Sequence, residues 1–122
     1  MALFDTDILI DHLRGKPEAK QVLEYFQFDK KYCSVITSAE ILFGMRPNEE
    51  RLTLALLNQL EEIPVTPAIT KLVYDIRNRA KGHHLELFDC LIAATALYYH
   101  QPLVSCNRKH YPDKRLSVIV PY

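Results

Sequence analysis

Three acidic residues of this 122-residue chain stand where carboxylates could do metal chemistry. Asp5 ends an apolar run, Glu40 lies early in a predicted helix, and Asp89 opens the most apolar stretch of the sequence. Because two carboxylates about 4 Å apart repel by about 4 kcal/mol at an effective dielectric of about 20, a cluster of three requires a cation unless some of the carboxyl groups stay protonated. Oxygen ligands suit a hard ion, Mg²⁺ or Mn²⁺. Such a site is best suited to the attack of metal-activated water on a phosphodiester.

A fourth position, Asn107, follows another short apolar segment and is expected at the same site. Each of the four residues also has a structural alternative. Asp5 could cap the first helix, and Asp89 could cap the helix that it opens. Glu40 could close a capping box with Thr37, and Asn107 could be an ordinary turn residue. We favour one shared site, because otherwise four independent explanations would have to coincide at the ends of the predicted strands.

The elements that must position these residues alternate between short apolar strands and helices. The predicted strands span residues 2–4, 32–36, 63–65, 103–105 and 118–120, and the predicted helices span 6–14, 17–26, 37–43, 49–60, 67–81 and 89–100. The fourth helix is expected to bury one face, formed by Leu52, Leu56, Leu57 and Leu60. This alternation predicts an α/β protein, a three-layer α/β/α sandwich with a mainly parallel central sheet. Ligands of such sheets bind at the carboxyl ends of the strands, where the four candidate residues are expected.

Composition excludes several other classes of protein. Lys and Arg together number 15, as do Asp and Glu, so the net charge of zero argues against binding nucleic acid by bulk charge. A hydrophobic fraction of 48% predicts a folded chain, which we expect to form a single domain over residues 1–122. Three glycines leave no phosphate-binding loop, and three cysteines without a CxxC pair argue against disulfides or a zinc ribbon. With neither a signal peptide nor a membrane span in the sequence, we expect a cytoplasmic protein.

Four segments of the sequence resemble the PIN-domain ribonucleases, and most closely the VapC-type toxins of bacterial and archaeal toxin–antitoxin pairs. They are LFDTDILIDHLRG (residues 3–15), VITSAEILFG (35–44), LELFDCLIAATALYYHQPLVSCNRKHY (85–111) and VIVPY (118–122). The resemblance implies a metal-dependent endoribonuclease with an α/β/α fold. In that family the carboxylates matching Asp5, Glu40 and Asp89 bind Mg²⁺ or Mn²⁺, and the position matching Asn107 completes the pocket. The resemblance also implies a homodimer, neutralised by a cognate antitoxin that enters the acidic cleft.

Two departures from the family pattern bear on the site. Asp7 stands where relatives often carry Asn, and Ser105-Cys106-Asn107 replaces a more usual Thr-x-Asn or Thr-x-Asp. Because Asn107 has no charge, a second metal ion would be held weakly. Ser105 keeps the hydroxyl group that Thr provides in relatives.

Two other functions remain open from the sequence. The motif Asp5-Thr6-Asp7 after a strand is also typical of HAD-type phosphatases, in which Asp5 would be the nucleophile and Asp7 the acid/base. Leu9 stands where that family expects Thr or Val, however, and its late acidic motif is missing. The chain could instead be a non-catalytic RNA- or partner-binding module on the same fold. Such a module would gain nothing from three mutually repelling carboxylates.

Two basic clusters could contact RNA phosphates, although each could equally be a solvated surface. The first consists of Arg77, Arg79, Lys81, His83 and His84, and the second of Arg108, Lys109, Lys114 and Arg115. His110 is expected to be structural rather than catalytic. Tyr98 and Tyr99 are expected to pack in the core or in a dimer interface.

Overall fold

The computed structural model describes residues 1–27 and 29–122. The strands are β1 (Ala2–Phe4), β2 (Lys31–Ser34), β3 (Glu61–Ile63), β4 (Leu103–Val104) and β5 (Val118–Ile119). The α-helices of the described residues are α1 (Thr6–Leu13), α2 (Pro17–Tyr25), α3 (Val35–Gly44), α4 (Glu50–Leu57), α5 (Pro67–Arg79) and α6 (Leu87–Tyr99), with short 3₁₀ turns at Pro47–Glu49 and Arg108–His110. All strand pairs are parallel, in the order β3-β2-β1-β4-β5.

The central strand β1 divides the core, because its successive side chains point to opposite faces of the sheet. Ala2 and Phe4 pack in a cluster with buried residues of α1, α2 and α4. Leu3 packs on the other face with buried residues of α5 and α6. All three β1 side chains are completely buried. The predicted three-layer α/β/α sandwich with a parallel sheet is therefore confirmed.

The start of α3 differs from the prediction. Ser34 ends β2, and its hydroxyl accepts a hydrogen bond from the backbone N–H of Ile36 at 3.1 Å, which caps a helix beginning at Val35. The predicted strand over 32–36 is thus two residues too long at its carboxyl end. The capping box of Thr37 with Glu40, which was the structural alternative for Glu40, does not form, because the helix has already started when the chain reaches Thr37. Glu40 lies in the second turn of α3 rather than the first.

The start of α6 also lies earlier than predicted. The helix begins at Leu87 after Glu86, so Asp89 stands within its first turn and is not its N-cap. At the other end of α6, Tyr98 and Tyr99 are 46% and 42% exposed, which places them outside the core.

The fourth helix is shorter than predicted, and its buried face is shifted by one residue. A 3₁₀ turn at Pro47–Glu49 precedes α4, which ends at Leu57. The residues buried there are Thr53, Leu56, Leu57 and Leu60. These follow the spacing of one helical stripe and leave Leu52 at its border, 67% exposed. Strand β3 begins two residues before its predicted start. No helix of the described residues is both long and apolar enough to span a membrane.

Candidate active site

Asp5 lies directly after β1 and is nearly completely buried, with 4% of its surface exposed. Its Oδ1 accepts a hydrogen bond from the backbone N–H of Thr6 at 2.7 Å. Its Oδ2 accepts from the Ser105 hydroxyl at 2.7 Å and from the Tyr111 hydroxyl at 2.9 Å. Ser105 reaches Asp5 because β1 and β4 are paired neighbours that end at the same edge of the sheet. Asp5 therefore caps α1, as the structural alternative proposed, and its carboxylate is fixed by donors on both oxygens.

Glu40 is held beside Asp5 by the first residue of α1. Its Oε1 accepts a hydrogen bond from the Thr6 hydroxyl at 2.8 Å, and that hydroxyl oxygen lies 3.1 Å from Oγ1 of Thr37. Thr6 thus contacts two predicted ligands at once, Asp5 through its backbone and Glu40 through its side chain. This contact replaces the capping role considered for Glu40.

Asp89 stands on the more open side of the site, with 22% of its side chain exposed. Its Oδ2 lies 3.4 Å from Nδ1 of His110. Burial raises the pKa of Asp89; His110 opposes this effect, and the carboxylates of Asp5 and Glu40 add to it. Asp89 thus lies near enough to Asp5 and Glu40 to interact electrostatically with both carboxylates.

Asn107 follows β4 and starts the 3₁₀ turn Arg108–His110. Its backbone N–H donates to the Ser105 hydroxyl at 3.0 Å, and its carbonyl accepts from the His110 N–H at 2.9 Å. The backbone of Asn107 is therefore that of a turn residue, as the structural alternative proposed. Its side chain does not cap the turn.

Asp7 connects α1 to the loop that follows β4. Its Oδ1 accepts from the Ile8 N–H at 2.8 Å, and its Oδ2 accepts from the Cys106 N–H at 2.9 Å. Burial, together with the neighbouring Asp5 carboxylate, raises the pKa of Asp7 to about 6. Both oxygens of Asp7 are thus used to join two backbone segments around Asp5.

Four residues contact the predicted carboxylates without being among the predicted site residues: Thr6, Ser105, His110 and Tyr111. His110 and Tyr111 are consecutive, and they contact Asp89 and Asp5 respectively. Burial raises the pKa of Tyr111, and the adjacent Asp5 raises it further, so the phenol stays protonated and can donate. The only signal in the sequence was that both residues lie at the end of the third resembling segment.

The predicted ligand set fits a hard divalent cation by its chemistry, since it consists of carboxylate oxygens from three different elements. In the described part of the chain, no three His, Cys, Asp or Glu side chains converge closely enough to form a ready-made metal site. Contacts nevertheless join the predicted ligands: Thr6 bridges Asp5 and Glu40, and the segment 110–111 contacts Asp5 and Asp89.

Glu40 also lies between two surface hollows. One has a volume of about 350 Å³ and is lined in part by Ile10, Arg14 and Arg46. The other has a volume of about 470 Å³ and is mainly apolar, with Phe43 and Phe88 in its wall. The site therefore opens beside surfaces of two different kinds, one containing arginines and one aromatic.

The fold and the site together define an α/β protein with a buried aspartate, Asp5, at the carboxyl edge of a parallel sheet. Residues 2–113 match the PIN domain family. The chain belongs to that family, which confirms the resemblance found in the sequence and sets aside the HAD-type phosphatase.

Several known proteins are similar to this chain over nearly all of its length. Ribonuclease VapC10 of Mycobacterium tuberculosis is 36% identical over 115 residues, which cover 92% of this chain and 86% of that protein. Ribonuclease VapC19 of the same organism is 31% identical over 116 residues, which cover 92% and 93%. Among solved structures, a chain of a toxin–antitoxin complex from Klebsiella pneumoniae superposes with a TM-score of 0.88 at 33% identity, covering 100% of this chain and 98% of that one. FitAcB from Neisseria gonorrhoeae has a TM-score of 0.86 at 24% identity, covering 99% and 98%, and shares the fold.

Proposed function

We propose that this protein is a metal-dependent endoribonuclease that cleaves RNA phosphodiester bonds as the toxin of a toxin–antitoxin pair. The observation that carries the proposal is the 36% identity to a ribonuclease over 92% of the chain. The contacts that link Asp5 with Glu40 and Asp89 support it, because carboxylates near a buried aspartate are suited to metal-assisted hydrolysis. The region 1–122 would form one nuclease domain, since both hydrophobic clusters pack on the same sheet.

In this proposal Asp5, Glu40 and Asp89 hold the metal, Mg²⁺ or alternatively Mn²⁺, and Asn107 completes the pocket. The bound cation would supply an activated water and a counter-charge for the leaving oxygen. The chain itself supplies the placement of these groups: donors from Thr6, Ser105 and Tyr111 orient Asp5. The Thr6 hydroxyl holds Glu40, and His110 lies against Asp89 at the open side.

The proposed protein partner is a cognate antitoxin. A relative that is 33% identical was solved as a toxin–antitoxin complex, which supports the same kind of partner here. The partly exposed carboxylates of Glu40 and Asp89 could receive an arginine of such a partner. Co-expression with the protein encoded next to this chain should give a complex that survives purification and suppresses RNA cleavage, whereas failure to co-purify would contradict this part of the proposal.

We also propose a homodimer. Helix α3 carries an exposed aromatic side chain, because Phe43 is 96% exposed whereas Ile41 of the same helix is buried. Leu87 and Phe88 are 60% and 50% exposed, so they add to the apolar surface of the chain. A Phe43→Glu variant should shift light scattering from dimer to monomer at high micromolar concentration. A wild-type monomer under those conditions would contradict the dimer.

The nuclease is tested with purified protein and single-stranded or looped RNA oligonucleotides. Cleavage should occur with Mg²⁺ or Mn²⁺, stop in EDTA, and return when the metal is restored. Asp89→Asn should lose cleavage, while the exposed-carboxylate control Glu24→Gln on α2 should keep it. Undiminished cleavage in EDTA would contradict the metal mechanism. RNA binding without cleavage under any metal would instead favour the non-catalytic alternative.

A further inference from the structure

The hydroxyl group of Tyr111 occupies an unusual place for a tyrosine. Tyr111 is 4% exposed, and its ring packs in the hydrophobic cluster that contains Leu3 and Leu103. Its hydroxyl nevertheless donates to Oδ2 of Asp5 at 2.9 Å. A phenylalanine would provide the same apolar ring, so packing alone does not account for the hydroxyl. The group must therefore be explained by what it does to Asp5.

We propose that Tyr111 is a positioning residue, whose hydroxyl orients the Asp5 carboxylate for metal binding. This inference rests on the proposed function, because it takes Asp5 to be a metal ligand. A hydrogen bond to a metal-binding carboxylate limits its rotation and stabilises its charged form, so fewer orientations must be given up when the metal binds. Ser105 supplies the other side-chain donor to the same oxygen, at 2.7 Å.

The loop that carries Tyr111 is itself anchored by polar contacts, and these contacts restrain the position of the Tyr111 hydroxyl. Asp113, whose side chain is 3% exposed, accepts from the backbone N–H of Arg115 at 3.0 Å and from its Nη2 at 2.7 Å. Arg115 Nη1 also lies 2.8 Å from Oδ2 of Asp75 on α5. The loop is thus tied to a helix of the opposite layer from α1. Residues of α5, Leu3 of β1 and the ring of Tyr111 belong to one hydrophobic cluster, so the anchor and the apolar packing together hold Tyr111 near Asp5.

The same loop contacts two of the proposed ligands, which lie on different elements of the fold. His110 lies 3.4 Å from Asp89, and Tyr111 is bonded to Asp5. Two consecutive residues thereby connect a carboxylate at a strand end with a carboxylate on a helix. Removal of the Tyr111 hydroxyl should release only the strand-end member of this pair.

The test uses Tyr111→Phe, which removes the hydroxyl and keeps the buried ring. Tyr122→Phe is the matched control, because the Tyr122 hydroxyl donates to Asp11 at 2.8 Å, an equally short tyrosine–aspartate bond at a carboxylate that is not a predicted ligand. Isothermal titration with Mn²⁺ alone should show affinity about tenfold weaker in Tyr111→Phe and within about twofold of wild type in Tyr122→Phe. In RNA cleavage, Tyr111→Phe should lower kcat at limiting Mn²⁺, leave the KM for RNA unchanged, and recover at saturating Mn²⁺.

Two results would overturn the inference, and they are distinguishable. If Tyr111→Phe binds Mn²⁺ as tightly as the wild type, or if both tyrosine variants weaken it equally, the hydroxyl has no specific positioning role. The variant Asp5→Asn provides the second measurement. If wild type and Asp5→Asn bind Mn²⁺ equally well, Asp5 is not a ligand, and the proposed metal site fails together with the inference.

Discussion

Asp5 and Asp89 are two of the proposed metal ligands, and their surroundings differ sharply. Asp5 follows a completely buried strand, is 4% exposed, and accepts hydrogen bonds of 2.7 to 2.9 Å on both oxygens. Asp89 stands on a helix with 22% of its side chain exposed, and its nearest charged partner is His110 at 3.4 Å. On the buried side of the proposed site the Asp5 carboxylate is therefore fixed by hydrogen bonds to both oxygens, whereas on the more open side the Asp89 carboxylate has one recorded ion-pair contact, to His110.

Because their surroundings differ, the carboxylates of Asp5 and Asp89 should contribute differently to the stability of the folded state. Hydrogen bonds to a buried charged group stabilise the folded state, and their loss leaves donors without partners. A carboxylate with a raised pKa, by contrast, carries a charge that the folded state disfavours. Substitution of the two residues should thus have similar effects on cleavage and opposite effects on folding.

The largest expected effect comes from replacing each aspartate by asparagine. Both Asp5→Asn and Asp89→Asn should lower RNA cleavage by orders of magnitude, because each removes a proposed ligand charge. In metal-free buffer Asp5→Asn should lose about 1–3 kcal/mol of stability, since its donors lose a charged acceptor. Asp89→Asn should be as stable as the wild type or more stable. Thermal denaturation of the two variants beside Glu24→Gln provides the comparison.

Equal destabilisation by both substitutions would remove the distinction between the buried and open sides. Retained cleavage per folded molecule in Asp89→Asn would mean that Asp89 has only a structural role. Added Mg²⁺ should raise the melting temperature of the wild type more than that of either variant, because a ligand that binds only the folded state stabilises it by mass action.

A smaller effect on stability is expected when the pH is lowered, because acid protonates Asp113, which anchors the loop that carries Tyr111. Hydrogen bonds from Arg115 lower the pKa of Asp113 below its usual value of 3.8. A carboxyl group whose pKa is lower in the folded state stabilises the fold above its unfolded pKa, and this contribution is lost as the pH falls through the folded value. The stability advantage of wild type over Asp113→Asn should therefore be full at about pH 7, at about 1–3 kcal/mol, and shrink steadily below about pH 4.

Denaturant titrations of both proteins across this pH range measure that advantage directly. Asp29→Asn, at an exposed carboxylate near the end of α2, is the matched control and should show no such dependence. An advantage of Asp113 that stays constant into strong acid would show that its charge does not anchor the loop.

The smallest effect is expected from adding a charge at Asn107. If its side chain borders the metal, Asn107→Asp should tighten Mg²⁺ binding by about threefold to tenfold, because affinity for hard cations rises with the number of ligand charges. Asn48→Asp, in the exposed turn before α4, adds the same charge elsewhere. Calorimetric titration with Mg²⁺ compares the two variants. If the two variants bind Mg²⁺ equally well, the side chain of Asn107 does not border the metal. Glu40 and Asp89 would then be the proposed ligands on the more open side of the site.

Local sequence patterns were sufficient to predict much of the fold. Apolar runs of a few residues predicted the strands of the sheet, although the predicted segment 63–65 overlaps β3 at Ile63 only, and helical periodicity predicted each helix within a few residues. The errors lie at element ends, where one polar contact decides between two conformations. The Ser34 cap that starts α3 is an example, because a β-branched pair after it favoured a longer strand. Leu52 is another, since a stripe shifted by one residue keeps a similar helical pattern.

The sequence by itself determined that Asp5, Glu40, Asp89 and Asn107 are candidates for one site, because parallel strands bring their carboxyl ends to a common edge. Only the tertiary structure decided how those residues are held. The Thr6 hydroxyl reaches Glu40 and the Tyr111 hydroxyl reaches Asp5 across large separations in sequence. No local pattern encodes such contacts, because a hydrogen bond depends on where two side chains meet in space and not on the residues beside them in the chain.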